Sequence, residues 1–226
     1  MPAKSTLQRF RRQVVSWFRR SGRELPWRTT RDPYRILVSE FMLQQTQVAR
    51  VEDYYARFLD RYPTLPSLAA ASPTLVRETW EGLGYYRRAA NLHRLATEVV
   101  SRHGGILPRT AGALEALPGV GRYTAGAVMA FAHERAEPAV DTNVARVLRR
   151  AFHPRTDHST RGQRRIWATA RALHGRDGPG AWALSQGLME LGALVCTARV
   201  ARCERCPVRT VCSTGRRRLR AAGKRR

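Results

Sequence analysis

Lysine is almost missing from this chain of 226 residues. Of its 41 basic side chains only Lys4 and Lys224 are lysines, and none lies between Ser5 and Gly223. A dedicated amine nucleophile in the core is thereby excluded. Acids are scarce as well: 17 aspartates and glutamates leave a formal net charge of +24 and a pI near 11.6. No stretch approaches the apolar run of about 20 residues needed to cross a bilayer, and no apolar leader opens the chain. A cytoplasmic protein with no membrane partner is expected. Cysteine occurs in one short window only, which argues against the disulfide framework of a small secreted domain.

That window holds Cys196, Cys203, Cys206 and Cys212, spaced C-x6-C-x2-C-x5-C. A cluster of thiols in a reducing compartment points to a metal. Four thiolates suit either tetrahedral zinc or a [4Fe–4S] cluster. Zinc ribbons usually pair two CxxC knuckles and only one is present, yet spacing alone leaves both readings open. Unrelated buried cysteines are the remaining alternative.

The charge narrows the partners. A field this positive attracts a polyanion and makes binding strongly salt-dependent. Nucleic acid is the favoured partner over a basic surface kept for solubility or a ribosome-associated role. Arginine also suits bidentate phosphate contacts.

The pattern is helical throughout. Leu7, Phe10, Val14, Val15 and Phe18 recur at helical spacing, and the segment from Ile36 to Phe58 continues it. Further helical segments run over 75–80, 89–101, 124–132, 144–152, 164–173 and 182–194, with proline and glycine at the joins. Few stretches alternate like strands, so the class is all-α. The ends, Met1–Ser5 and the basic run 215–226, are expected to be unstructured, the latter either a solvated charge run or a phosphate contact.

Leu117-Pro118-Gly119-Val120-Gly121 separates a short helical segment (111–116) from a helix beginning near Arg122. The glycines permit a tight turn and close backbone approach, and the helix start offers N–H groups to an anion. Such a helix–hairpin–helix holds a DNA backbone without reading sequence; the alternative is a plain loop. Two carboxylates stand out. Glu40 interrupts the apolar run Leu37-Val38-Ser39-Glu40-Phe41-Met42-Leu43, as a buried functional group or a hydrogen-bonding residue near a cap. Asp141 precedes Thr142-Asn143, where it either does chemistry or caps the helix through Leu148.

Taken in order, LPWR (25–28), SEFMLQQTQ (39–47), GLGYYRRAANLH (82–93), LPGVGRYTAGAV (117–128), VDTNVARVL (140–148), MELGALVCT (189–197) and the four-cysteine loop resemble the helix–hairpin–helix DNA glycosylases with an iron–sulfur loop. Within them the chain looks like the MutY-type adenine glycosylases. The resemblance implies a [4Fe–4S] cluster on the four cysteines. It also implies a DNA cleft between two helical lobes: a six-helix barrel over 29–135 with the hairpin at 111–133, and a cluster lobe from 6–28 plus 136–214. It makes Glu40 the general acid that protonates adenine and Asp141 the carboxylate that stabilises or captures the sugar cation, with Tyr123 and Asn143 in support. Gln44, Gln45, Thr46 and Tyr85 match wedge elements, Leu117, Gly119, Val120 and Gly121 the phosphate clamp, and Arg28 and Glu190 the surroundings of the adenine pocket.

Tyr123 stands where bifunctional relatives carry a Schiff-base lysine, so a monofunctional enzyme is implied. A monomer acting on mismatched double-stranded DNA at the nucleoid is expected. Two departures stand out. The acid motif reads Val140-Asp141-Thr142-Asn143, where many members have glycine before the asparagine. The chain also ends soon after Cys212, whereas many members continue into a Nudix-like domain that recognises 8-oxoguanine. The rival readings are a thymine or uracil glycosylase acting on T·G or U·G mismatches, and a catalytically silent DNA-binding protein.

Overall fold

The apolar stripe Leu7, Phe10, Val14, Phe18 lies at spacings of three and four, so the first helix, α1 (Lys4–Ser21), buries one face and leaves its arginines outside. The computed structural model describes residues 1–223. They divide into two compact units, one formed by Met1–Arg23 with the chain from Glu134 onward, the other by Glu24–His133. Boundaries were expected near residues 28 and 135. Leu25 and Trp27 instead belong with the second unit, because both are buried and the Trp27 ring packs edge-on against Tyr55 at 5.5 Å.

The Glu24–His133 unit opens with a 3-10 turn (Pro26–Arg28). It continues through α2 (Pro33–Leu43), α3 (Val48–Arg61), α4 (Leu65–Ala70), α5 (Pro73–Thr79), α6 (Arg87–His103), α7 (Ala111–Glu115) and α8 (Arg122–Ala132). The six helices implied by the resemblance become seven when the short segments α4, α5 and α7 are counted separately. Asp32, Thr64 and Ser72 each cap a helix whose first turn carries proline. Helices α2 and α8 are buried over most of their length and pack on each other, with α3 and α6 against α2. Trp80, Phe41, Phe58, Leu92, Leu95 and Leu114 fill the core.

The helix expected from Ile36 to Phe58 is two helices. It stops at Leu43, turns through Gln44–Gln47 and restarts at Val48, because Gln45 takes a left-handed backbone with φ +58° that a helix cannot contain.

In the other unit, α1 packs with α9 (Thr142–Phe152), α10 (Thr160–His174) and α11 (Pro179–Leu194), and α12 (Ser213–Gly223) packs on α9. Leu7, Phe10, Val14, Leu148, Ile166, Leu184, Leu188 and Val208 share its core. Buried His174 links two of these helices through Ala170 O at 2.7 Å and Ser185 Oγ at 2.8 Å. The expectation of an unstructured run from Gly215 does not hold over 215–223, which is helical. Arginine, leucine and alanine are good helix formers. The start of α12 is also tied down: Thr214 donates to Arg150 O and Arg218 to Ala201 O, each at 2.8 Å. Lys224-Arg225-Arg226 lie outside the described residues. Among the described residues there is no strand, only an isolated bridge between Cys196 and Ala201, and no helix long and apolar enough to cross a membrane.

Candidate active site and cysteine pocket

Glu40 sits in the last turn of α2, 4% exposed, between Ser39 and Phe41 on a helix whose neighbouring positions Ile36, Leu37, Val38 and Met42 are all buried. It is not a cap: the N-cap is Asp32, which accepts from Tyr34 N at 2.8 Å. A carboxyl group here is buried away from bulk water. The turn that follows presents Gln45 outward, and the turn Leu83–Tyr85 presents Tyr85, 57% exposed with φ +48°. Gln44 and Thr46 flank the first turn and are half-buried.

In the hairpin, Leu117 and Val120 are buried, and Val120 N donates to Leu117 O at 3.1 Å. Gly119 has φ +78°, and a Cβ there would come within 2.7 Å of Asn91 Cβ, so glycine is required twice over. Gly121 is the exposed N-cap of α8 with open space where a side chain would be. Tyr123 is half-buried in the first turn of α8, and Arg28 is half-buried on the 3-10 turn.

Asp141 lies in the other unit and is a cap. Its Oδ1 accepts from Val144 N at 2.7 Å, while Oδ2 accepts from Asn143 Nδ2 at 2.8 Å. Asn143 Oδ1 in turn accepts from Arg146 Nη2 at 2.7 Å, and Arg146 also donates to Gly192 O and Cys196 O, both at 2.8 Å. Burial lowers the Arg146 pKa from its ordinary value. Gly192 has to be glycine for this approach, since a Cβ would meet Asn143 Cβ at 2.6 Å. Glu190 is 1% exposed and held by Arg23: Nε donates to Oε1 at 2.8 Å and Nη2 to Oε2 at 2.9 Å, with the Arg23 backbone N–H at 2.9 Å.

The four cysteines line one pocket together with Val147, Arg150, Ala151, Leu191, Val195, Val208 and Gly215. None is in a disulfide. Arg150 brackets the first of them, donating to Cys196 Sγ at 3.4 Å, Thr197 O at 2.7 Å and Ala198 O at 3.0 Å. Gly215 N–H points at Cys212 Sγ at 3.4 Å. Burial pushes the Cys206 thiol up to about 12 and raises that of Cys212; a bound metal group would supply the positive charge that turns them into thiolates. Among the described residues no three His, Cys, Asp or Glu side chains converge on a single point. A four-iron cluster does not ask for that, because each thiolate binds a different iron. An apolar pocket with four sulfurs and two N–H donors to sulfur fits such a group.

Four arginines that hydrogen-bond to residues at or beside the candidate site escaped the sequence reading: Arg23, Arg88, Arg146 and Arg150. Arg146 and Arg150 lie one and two turns beyond Thr142-Asn143, a spacing that places them on one helix face, but the abundance of arginine hid the signal.

The Glu24–His133 unit thus carries the hairpin and a buried acid, and the other unit a helix-capping acid whose neighbour Arg146 reaches the cysteine loop. Residues 38–171 match the HhH-GPD superfamily of base excision DNA repair proteins, and the chain belongs to that superfamily. It is 45% identical over 213 residues to rat adenine DNA glycosylase, covering 90% of this chain and 41% of that one. To the adenine DNA glycosylase of Mycobacterium tuberculosis H37Rv it is 46% identical over 198 residues, covering 86% and 64%. The thymine-DNA glycosylase of Aeropyrum pernix is 36% identical over 218 residues, covering 92% and 95%. The chain thus spans less than half of the rat relative's length and under two thirds of the mycobacterial one's. Among solved structures, a thermostable thymine-DNA glycosylase aligns with TM-score 0.86 at 30% identity over 94% of this chain and 98% of that one. A trapped endonuclease III–DNA covalent intermediate aligns at 0.78 and 26% over 97% and 100%. The all-α fold expected from periodicity is the fold found.

Proposed function

We propose that this chain is a monofunctional glycosylase that removes adenine mispaired with guanine or 8-oxoguanine from double-stranded DNA, acting as a monomer at the nucleoid in the cytoplasm. The observation that carries the reading is the contrast between two acids on a chain about 45% identical to adenine DNA glycosylases. Glu40 is buried within α2, whereas Asp141 is half-exposed at the start of α9 with both oxygens engaged in hydrogen bonds.

Breaking the bond to a purine requires protonation of the leaving base and stabilisation of an oxocarbenium-like sugar. A sheltered acid and an ionised one divide that work. The hairpin at Leu117–Gly121 binds backbone phosphate through the N–H groups at the start of α8. Extrusion of the adenine leaves a hole that Gln45 and Tyr85 fill. Glu40 donates its proton to the departing base. Asp141, aimed by Asn143, stabilises or captures the sugar cation until water attacks. No lysine lies between Ser5 and Gly223, so no imine forms and the strand stays intact. Tyr123 and Asn143 support the sugar side and Arg28 the adenine pocket, while Glu190 is held by its pair with Arg23. Cys196, Cys203, Cys206 and Cys212 hold a [4Fe–4S] cluster, which cross-links their loop when bound.

A second reading, excision of thymine from T·G mismatches, is favoured by the 36% identical thymine-DNA glycosylase of Aeropyrum pernix and by the TM-score of 0.86. Gln44-Gln45-Thr46 and Gly84-Tyr85-Tyr86 favour adenine. Single-turnover base release from A·8-oxoG, A·G, A·C, T·G and U·G duplexes decides. Adenine release from the first two is expected. Thymine release with none of adenine would overturn the proposal in favour of the second reading, and no release from any duplex would leave a DNA-binding protein.

A further inference from the structure

Arg88, in the first turn of α6, is 6% exposed, and its guanidinium is surrounded by neutral oxygens. Nη1 donates toward Phe41 O at 3.0 Å, Met42 O at 2.6 Å and Gln44 O at 2.5 Å. Nη2 reaches Thr46 Oγ1 at 3.1 Å, Leu83 O at 3.3 Å and Gly84 O at 3.0 Å, and Nε reaches Tyr85 O at 3.4 Å. The group also lies 5.5 Å from the Trp80 ring centre and 5.4 Å from that of Tyr85. Phe41 and Met42 are in the last turn of α2, whose carbonyls have no partner within the helix. The other acceptors belong to two turns that are distant in sequence, Gln44–Thr46 and Leu83–Tyr85. Each turn contains one non-glycine residue with positive φ, Gln45 at +58° and Tyr85 at +48°. These are the two exposed side chains assigned above to the wedge.

We propose that Arg88 is a positioning residue that locks both wedge turns to one guanidinium, so that Gln45 and Tyr85 enter the duplex as a single preformed unit. The inference rests on the reading of those two residues as the wedge. Left-handed backbone at residues with side chains persists only where the surroundings over-determine it. Here the over-determination comes from a planar fork of five N–H donors facing two turns at once. A lysine ammonium offers three donors from one point and cannot span both. Without the fork the turns relax independently, the wedge loses its preorganisation, and base extrusion slows while bond cleavage after extrusion does not.

The test uses the full chain and an A·G duplex with 2-aminopurine beside the adenine, reading extrusion by stopped-flow fluorescence and adenine release in parallel. Arg88→Lys is expected to slow extrusion by roughly tenfold or more. In the Gln45→Ala/Tyr85→Ala background the same substitution should change extrusion by less than about twofold. An equal loss in both backgrounds would mean general damage and overturn the proposal, as would wild-type extrusion by the Gln45→Ala/Tyr85→Ala protein. If Arg88→Lys does not melt cooperatively, Thr46→Val, which removes one acceptor and little volume, replaces it; slowing is again expected in the intact background only, and no slowing there overturns the proposal. Failure of the functional reading is separable: a wild-type chain that extrudes the base under Arg88 control but releases no adenine would end that reading and leave this one standing.

Discussion

The segments around Glu40 and Asp141 place their carboxylates in different settings, one buried and one half-exposed. In α2 the acid is buried, 4% exposed, in a helix whose neighbouring positions are buried as well. At the start of α9 the acid is half-exposed and fixed by hydrogen bonds, one oxygen to the helix N-terminus and the other to Asn143. Capping and chemistry are therefore not alternatives at Asp141. A carboxylate has about four lone-pair sites, and the two bonds present leave room for a sugar cation to approach.

The largest effects should come from the acids themselves. Glu40→Gln is expected to lower adenine release by roughly 10²–10⁴-fold or more while mismatch binding stays near wild type, because proton donation is lost and phosphate contact is not. Single-turnover release and binding by fluorescence anisotropy check both halves; full-rate cleavage by Glu40→Gln would remove it as the acid. Next comes the cysteine loop. The purified protein should be brown with about four irons per chain, and Cys203→Ser should lose that iron. Amide exchange should then rise in α9 and α12 and remain slow in α2 and α8. One zinc per chain without sulfide would contradict this.

Arg146→Ala should cost roughly tenfold to a hundredfold in release rate, since Asn143 loses its partner and Asp141 its aim. Preserved activity would show that the cap alone positions the carboxylate. Stability should separate the two roles of Asp141: Asp141→Ala should cost about 1 kcal/mol of unfolding free energy through the lost cap, whereas Asp141→Asn, an equally good cap, should cost about a few tenths. Both should be inactive.

The smallest effect concerns pH. Burial lowers the pKa of His174 and of His153 below the ordinary 6.5, with Arg165 adding to the burial effect at His153. The unfolded chain then takes up protons more readily than the folded one. The stability that neutral imidazoles confer is present above pH 6.5 and is lost as pH falls through their lowered values. Thermal unfolding between pH 7.5 and 5 should show the fall, and His174→Gln should flatten it.

The helical fold was legible because apolar stripes such as Leu7, Phe10, Val14 and Phe18 depend only on local periodicity. Glu40 was legible as an anomaly within such a stripe. The break at Gln44–Gln47 was not, since it is held by Arg88, more than forty positions away. The unit boundary after Arg23 was missed for a similar reason: Trp27 is placed by Tyr55, a long-range ring contact. Arg146 and Arg150 were invisible in a chain where arginine is the common surface residue, and only their carbonyl partners across α9, Gly192 and Cys196–Ala198 distinguish them.

If both acids serve one bond-breaking step, their losses cannot simply multiply, because residues that act as a unit are strongly non-additive. Single-turnover adenine release by Glu40→Gln, Asp141→Asn and the double variant measures this directly. The expected result is a double variant about as slow as the worse single one. A double variant slowed by the product of the two single effects, or an Asp141→Asn chain that cleaves at the wild-type rate, would contradict the shared step.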